Sequence, residues 1–460
     1  AEIVARHDIL RTVFIQDEEA VRPSVKPRLS MPVQIVRLSK GVTSVHDAGF
    51  QAELARLAGE PFDLSLGPLM RVHLLLLDGE ESVLLIVQHH LIGDQWSFAV
   101  LARELSAAYG RHLHGRPSPV APASWQYADF AAWHRQWYAG ERHDEELAYW
   151  REQLAGLELA ELPTDHPRPA RQGYRGARVR APLEPSLIRA LTELGARQRA
   201  SLSMVMMAVF KLLLHRHTGH RDLALGVPIA NRHHLATEDL MGTFVNTLVL
   251  RSVLDPRLPF SEWLTQVRQT ALDAYAHQDM PFELLVRELG LPRDSSRSPL
   301  FQVLFNVVNA PLGTLEFDAL QWERVDFDRQ ATQFDLTVTV DAELDRSIVF
   351  EFATDLFDAA RVERLLDHYL RLLAAVAASQ DAPVCELPMM SPAEQRQLNA
   401  LAMGPARPLP APDVWSLLAP SFAAHADATA VVCGEQTLSY GALAERSAAI
   451  AQALHQRGIG

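Results

Sequence analysis

Cysteine is nearly absent from this sequence. Only Cys385 and Cys433 occur in 460 residues, far apart and without metal-ligand spacing, which excludes a disulfide framework and makes a reducing cytoplasm the expected compartment. Clusters of Lys and Arg are also missing, and a formal net charge of −13 at pH 7 argues against a nucleic-acid partner. No apolar run is long enough to span a bilayer. The most hydrophobic stretch, Met204 to Leu214, is interrupted by Lys211 and reads as a buried helix, so no membrane partner is expected. The N-terminus has neither an initiating Met nor a signal peptide. Ala1-Glu2-Ile3-Val4 reads as the middle of a helix, so a piece of a longer polypeptide is expected. What is present is ordinary for a globular protein: 48% hydrophobic and 22% charged residues supply a large core and two or three domains.

The chain is organised around Gln88-His89-His90-Leu91-Ile92-Gly93-Asp94-Gln95-Trp96-Ser97. An apolar run, Ser82 to Val87, precedes it and reads as a buried strand; Phe98, Leu101, Leu105 and Tyr109 follow at helical spacing. Histidines at a strand end and an aspartate at a helix mouth occupy positions where a stiff scaffold presents active-site side chains. Three plainer readings stand beside that one. Asp94 alone reads as a helix N-cap, accepting a bond from the backbone near Ser97. A lone histidine is usually a satisfied core or loop residue. A histidine pair beside a carboxylate also suits a metal, although no Cys or H-E-x-x-H partner follows.

Elsewhere the pattern is one of strands, helices and breaks. Val72 to Leu77 and Ser82 to Val87, joined by Asp78-Gly79-Glu80-Glu81, form a predicted hairpin. Leu162 to Arg171 is too rich in Pro and Arg to be a helix or central strand, and reads as a crossover between lobes. Ser201 to His217 is a predicted helix and Asp222 to Ile229 a predicted strand. His233-His234-Leu235-Ala236-Thr237-Glu238 repeats the histidine spacing with Glu for Asp, but among polar neighbours it reads as a solvated loop. Ile348 to Asp358, with the helix after it, echoes the strand, loop, acidic cap and helix of the histidine region, with Thr354 falling where His90 stands. Gly404-Pro405-Ala406-Arg407-Pro408-Leu409-Pro410-Ala411-Pro412 suits an extended linker.

His89-His90-x-x-x-Asp94 with Trp96-Ser97 resembles the active-site motif of condensation domains of nonribosomal peptide synthetases, a branch of the CoA-dependent acyltransferase superfamily that includes chloramphenicol acetyltransferase. Further family motifs follow in order. Arg6-His7-Asp8-Ile9-Leu10-Arg11-Thr12-Val13-Phe14 resembles the second, Trp125 to Trp133 the fourth and Gly242-Thr243-Phe244-Val245-Asn246-Thr247 the fifth. His277 to Glu283 resembles the sixth and Arg293 to Leu300 the seventh. Pro61 to Arg71 is similar to the family's lead into its central strands. The first motif is missing, and Gln95 stands where the family usually has Gly, adding a side chain at the mouth of a tunnel.

The resemblance implies an α/β (α+β) fold of two chloramphenicol-acetyltransferase-like lobes forming a V-shaped pseudodimer. The lobes are expected at 1–165, incomplete at its N-terminus, and 166–387. A linker over 388–415 would follow, and then the start of an adenylation domain over 416–460, resembled by Leu438-Ser439-Tyr440-Gly441-Ala442-Leu443 with Ala442 in place of the usual Glu. The implied reaction is amide formation between donor and acceptor thioesters carried on the 4′-phosphopantetheine arms of peptidyl carrier domains, with no cofactor or metal bound directly and an adenylation domain in cis. His90 would act as base or orient the amine, His89 would support the loop, and Asp94 would hold it through an arginine. Arg11 is the candidate for that arginine and Arg6 a second structural support. Gly93 is a candidate for oxyanion stabilisation, and Trp96, Ser97, Gln95 and Asn246 for lining the substrate site. His at 89 and 90 argues against the cyclising relatives. An epimerase, an ester former and a silent module that only docks carrier domains are the rivals.

Overall fold

The computed structural model describes residues 1–460 apart from 18–19, 39–40, 79–80, 117–122, 293, 309–316, 318–319, 404–411 and 460. Gly79 and Glu80 of the predicted hairpin, Arg293 of the seventh motif and Gly404 to Ala411 of the expected linker lie outside the described residues. The chain divides into two compact units, Ala1–Met389 and Met390–Gly460. The two lobes expected over 1–165 and 166–387 thus share one unit.

In the N-terminal lobe, β1 (Thr12–Gln16) and β2 (Val21–Val25) pair antiparallel. A second sheet runs β3 (Val33–Arg37), β4 (Met70–Leu76), β5 (Ser82–Gln88), with β3 parallel to β4 and β4 antiparallel to β5. The β4–β5 register pairs Met70 with Gln88, and the next amide, His89 N–H, donates to Leu69 O at 2.9 Å. The sheet therefore fixes where the histidines leave it.

The C-terminal lobe is built on one mixed sheet in the order β6 (Gly176–Pro182), β11 (Ser347–Ala353), β10 (Leu336–Asp341), β9 (Val303–Val307), β7 (Asp222–Ile229), β8 (Asn246–Val253). β10, β9 and β7 run parallel; the outer pairings are antiparallel. The apolar stretch around Lys211 is the central helix Leu202–Thr218. Ser201 Oγ caps it by accepting from Met204 N–H at 3.2 Å, and Gly219, left-handed at φ 74°, ends it. Its residues 204–214 are all buried, because helices Pro185–Arg197, Phe260–Ala276 and Ala359–Ala378 and strand β7 pack around it. Burial on every side explains why this helix shows no polar face.

The crossover expected over Leu162 to Arg171 has no helix or strand and is strapped to the C-terminal lobe. The Asp165 and His166 amides donate to Leu356 O at 2.9 and 3.2 Å, and Arg168 pairs with the buried Asp335. The expected echo is one of chain path only. β11 leads through a short loop into helix Ala359–Ala378, but Asp358 makes no cap; its carboxylate meets His166 Nε2 at 3.0 Å instead.

The second unit contains helices Pro392–Met403, Val414–Ala424 and Tyr440–Gln456 and the antiparallel pair β12 (Thr429–Cys433) and β13 (Gln436–Ser439). Residues 388–415, expected to be a linker, include the helix Pro392–Met403. Ser391 and Glu394 start that helix by a reciprocal pair of bonds, Glu394 N–H to Ser391 Oγ and Ser391 N–H to Glu394 Oε2. Among the described residues no helix is long and apolar enough to cross a membrane.

Candidate functional site

The histidine loop leaves β5 as a single 3₁₀ turn, His90–Ile92, and enters helix Gln95–Leu113. His89 caps the turn: its Nδ1 accepts from Leu91 N–H at 3.1 Å, which places the ring proton on Nε2, and the ring meets Phe62 edge-on. Partial burial and the neighbouring His90 hold its pKa below the ordinary histidine value. His89 is therefore a neutral support of the loop. The His90 ring is exposed and receives no hydrogen bond from a described residue, while its backbone oxygen accepts from the Thr243 hydroxyl of the opposite lobe. The backbone is fixed and the imidazole is left available.

Asp94 is the most heavily used group of the loop. Oδ1 accepts from Ser97 N–H at 2.8 Å, so the N-cap reading holds; the Ser97 hydroxyl lies as close, but its single proton goes to Gly242 O. Oδ2 accepts from Phe244 N–H at 3.0 Å, and Arg232 Nη2 reaches Oδ1 at 3.2 Å. Arg232, not Arg11, is thus the arginine of Asp94. The Arg232 side chain is 1% exposed and also donates to Thr237 O and Leu240 O, with its guanidinium 3.9 Å from the Phe244 ring centroid. Burial presses its pKa below the ordinary arginine value, against the opposing pull of Asp94. Arg11 instead binds Val4 O at 3.1 Å, Lys26 O at 2.6 Å and Asp8, tying the N-terminal turn to β2. Position in the chain misled here, because Arg11 lies on the same lobe as Asp94 but points to its own hairpin.

Two other expected site residues, Ser97 and Trp96, join the lobes. Ser97 is fully buried; its hydroxyl donates to Gly242 O at 2.7 Å and accepts from Gly242 N–H at 3.0 Å. Trp96 Nε1 donates to Glu238 O at 2.9 Å. The Ser97 side chain is closed to a substrate, whereas the Trp96 ring is half-buried with its N–H committed. Asn246 is also committed: Nδ2 donates to Gln278 O and Met280 O at 3.0 and 2.8 Å, and Oδ1 accepts from Thr247 and Phe282 N–H, so it fastens the sixth motif to β8. The Gly93 N–H donates to His90 O at 3.3 Å. A Cβ at Gly93 would stand 1.8 Å from Gln88 Nε2 and 3.2 Å from Ser97 Cβ, so a side chain there would push the end of Gln88 aside. Of the expected lining residues only Gln95 stays exposed.

The remaining motifs brace this arrangement. His7, 1% exposed, binds Glu104 Oε2 at 2.9 Å, and Arg6 binds the other oxygen of the same carboxylate at 3.2 Å. Gln126 clasps the second motif, accepting from Asp8 N–H at 2.9 Å and donating to Arg6 O at 3.0 Å. Tyr127 donates to Thr243 O at 2.8 Å, and burial raises its pKa to about 12, so it remains a donor. A Cβ on Gly242, whose φ is +157°, would come 2.1 Å from the Tyr127 ring. The loop at His233 and His234 is likewise not simply solvated: Arg232, Thr237 and Leu240 within it are buried, and His234 sits edge-on to Trp133. Attention to its histidines hid the arginine beside them. Among the described residues no group of three or more His, Cys, Asp or Glu converges as metal ligands.

Comparison with known proteins gives a consistent result. The family model for the condensation domain matches residues 1–399. A linear gramicidin synthase protein of Brevibacillus parabrevis is 38% identical over 462 residues, which is 99% of this chain but 6% of that protein. The chain thus spans a small part of such curated relatives. Among solved structures, the X-domain from teicoplanin biosynthesis, which has also been solved as a complex with OxyB, superposes with a TM-score of 0.76 at 27% identity, covering 85% of this chain and 88% of that one. A four-domain nonribosomal peptide synthetase, holo-AB3403, covers 99% of this chain and 35% of its own with a TM-score of 0.75; at 22% identity it shares the fold. On the family match over residues 1–399, this chain belongs to the condensation domains of nonribosomal peptide synthetases.

Proposed function

We propose that this domain forms a peptide bond between a donor acyl or peptidyl thioester and an acceptor aminoacyl thioester, each held on the 4′-phosphopantetheine arm of a carrier domain. One observation carries the reading: in a loop where His89, Asp94, Trp96 and Ser97 are all committed to protein partners, His90 alone keeps its ring exposed and unbonded to any described residue. The acceptor amine attacks the donor carbonyl; the new C–N bond forms, the C–S bond breaks, and the departing thiolate takes up a proton. An α-ammonium has a pKa of about 8, so most of the amine is protonated at neutral pH and must lose a proton to react. His90 accepts the proton or the hydrogen bond that orients the amine. On this reading the lobes are halves of a V-shaped pseudodimer, 416–460 opens an adenylation domain in cis, and the protein works in the cytoplasm.

Carrier domains loaded with donor and acceptor groups, mixed with the protein and followed by intact mass, test the proposal. The acceptor carrier should gain one acyl unit, and His90→Ala should slow that gain by about 10²–10⁴-fold. A second reading, a docking module without chemistry, is favoured by the likeness to the X-domain, whose structure with OxyB shows that domain in a complex. It predicts carrier binding that is indifferent to His90→Ala, and no mass gain.

A further inference from the structure

Gln95 occupies one wall of a cavity of about 210 Å³ whose other walls belong to the C-terminal sheet. It is the residue after Asp94, so this wall of the cavity is the start of the helix that the histidine loop enters. The Gln95 side chain is exposed and makes no hydrogen bond to a described residue. The opposite walls carry Arg178 and Arg180 from β6 and Arg324, Asp326 and Asp345 from the neighbouring segments. These charges are already paired: Asp326 with Arg178 at 2.8 Å and Arg180 at 3.0 Å, Asp345 with Arg324, and Arg180 again with Asp345 at 3.8 Å. Asp341 at the end of β10 is buried and accepts from Glu343 and Leu344 N–H. Three arginines face three aspartates. Val308 and Val349 add apolar surface, so polar and apolar walls are about equal in extent, and the fixed charges cancel.

Such walls discriminate in a definite direction. An aliphatic or aromatic group filling the space would strip water from the ion pairs and from the Gln95 amide and return no hydrogen bonds. A group of one charge would meet no excess of the opposite charge. A neutral side chain with donors and acceptors replaces the water it displaces. We propose that Gln95 and this ion-paired cavity form a side-chain pocket selecting a substrate residue with a carboxamide or hydroxyl over one with an aliphatic or aromatic side chain. The inference rests on the amide-forming reading for the identity of the ligand as a carrier-bound aminoacyl group.

Two experiments separate the pocket from the reaction. In the first, carriers loaded with Asn, Gln or Ser compete against carriers loaded with Leu or Phe. One arm varies the donor against a glycyl acceptor, and the other varies the acceptor against a glycyl donor. The polar set should win by at least about tenfold in one arm, which assigns the pocket to that substrate, and Gln95→Gly should bring the ratio near one. In the second, aminoacyl-pantetheine amides, which cannot react, are titrated into wild type and Gln95→Ala by calorimetry. The same tenfold preference should appear in wild type and shrink in the variant. Turnover without discrimination, or discrimination unchanged by either substitution, overturns the pocket and leaves amide formation standing. Selective binding without turnover upholds the pocket and overturns amide formation.

Discussion

Asp94 shows how one side chain is shared between helix start, loop and opposite lobe. Its carboxylate receives one bond each from the Ser97 and Phe244 amides and from Arg232, and it is 6% exposed. A buried pair of this kind is worth little over a hydrophobic substitute, but removing one partner strands the other charge. Arg232→Leu should therefore lower stability by about 3–5 kcal/mol, and adding Asp94→Asn to it should recover part of the loss. Urea denaturation of the single and double variants measures this; equal loss in both would show that Asp94 does not depend on Arg232. The residue scale is also where sequence reading was most uneven. Local rules gave the Asp94 cap, because a cap spans three residues. They could not give Arg232, which lies 138 residues away on a loop from the other lobe. Nor could they show that Trp96, Ser97 and Asn246 spend their polar atoms on backbone, since the partners Glu238, Gly242, Gln278 and Met280 are set by tertiary packing.

At the scale of the element, helix Leu202–Thr218 was legible from its apolar run, its Ser201 cap and the terminal Gly219, and strand β7 from its own apolar run. The order of the six-stranded sheet was not, because parallel pairing between β7, β9 and β10 joins segments far apart in sequence. What the run of apolar residues concealed was the partner of Lys211. Its ammonium is fully buried and donates to Leu250 O at 2.8 Å and Ser252 Oγ at 2.7 Å on the edge strand β8, with no carboxylate in hydrogen-bond reach among the described residues. Burial lowers its pKa from 10.5 to about 7. Below pH 7 both folded and unfolded chains hold the proton, and stability does not change through this group. Between pH 7 and 10.5 the unfolded chain still holds the proton that the folded one has lost, so stability rises with pH across that window. Lys211→Met should flatten this rise relative to wild type in denaturation series run from pH 7 to 10. An unchanged slope would mean that the lysine stays charged in the fold.

For the first unit taken whole, the site exists only where two lobes meet. Ser97 bonds Gly242, Trp96 bonds Glu238, Tyr127 bonds Thr243, Trp150 bonds His277 O, and Arg142 pairs with Asp279, each N-terminal residue reaching a C-terminal one. Val325 and Phe327 from the C-terminal half pack on the cluster of Phe50, Leu54 and Leu85. These joints explain why residues 1–389 form one unit although no sheet is shared between the lobes. They also make the position of His90 a property of the joint, because its carbonyl is held by Thr243 from the far side. Ser97→Ala tests this directly. The substitution leaves the helix cap to Asp94 but deprives the buried Gly242 N–H and O of their partner, a loss of about 1–3 kcal/mol. The expected result is local: amide exchange at Gly242 and Phe244 should speed up by about tenfold or more. Exchange at Leu225 and Leu250, deep in the β7–β8 pairing, should stay at the rate set by global unfolding. Equal acceleration at all four amides would place Ser97 in the global core, and the histidine loop would then be held by the fold as a whole and not by the joint.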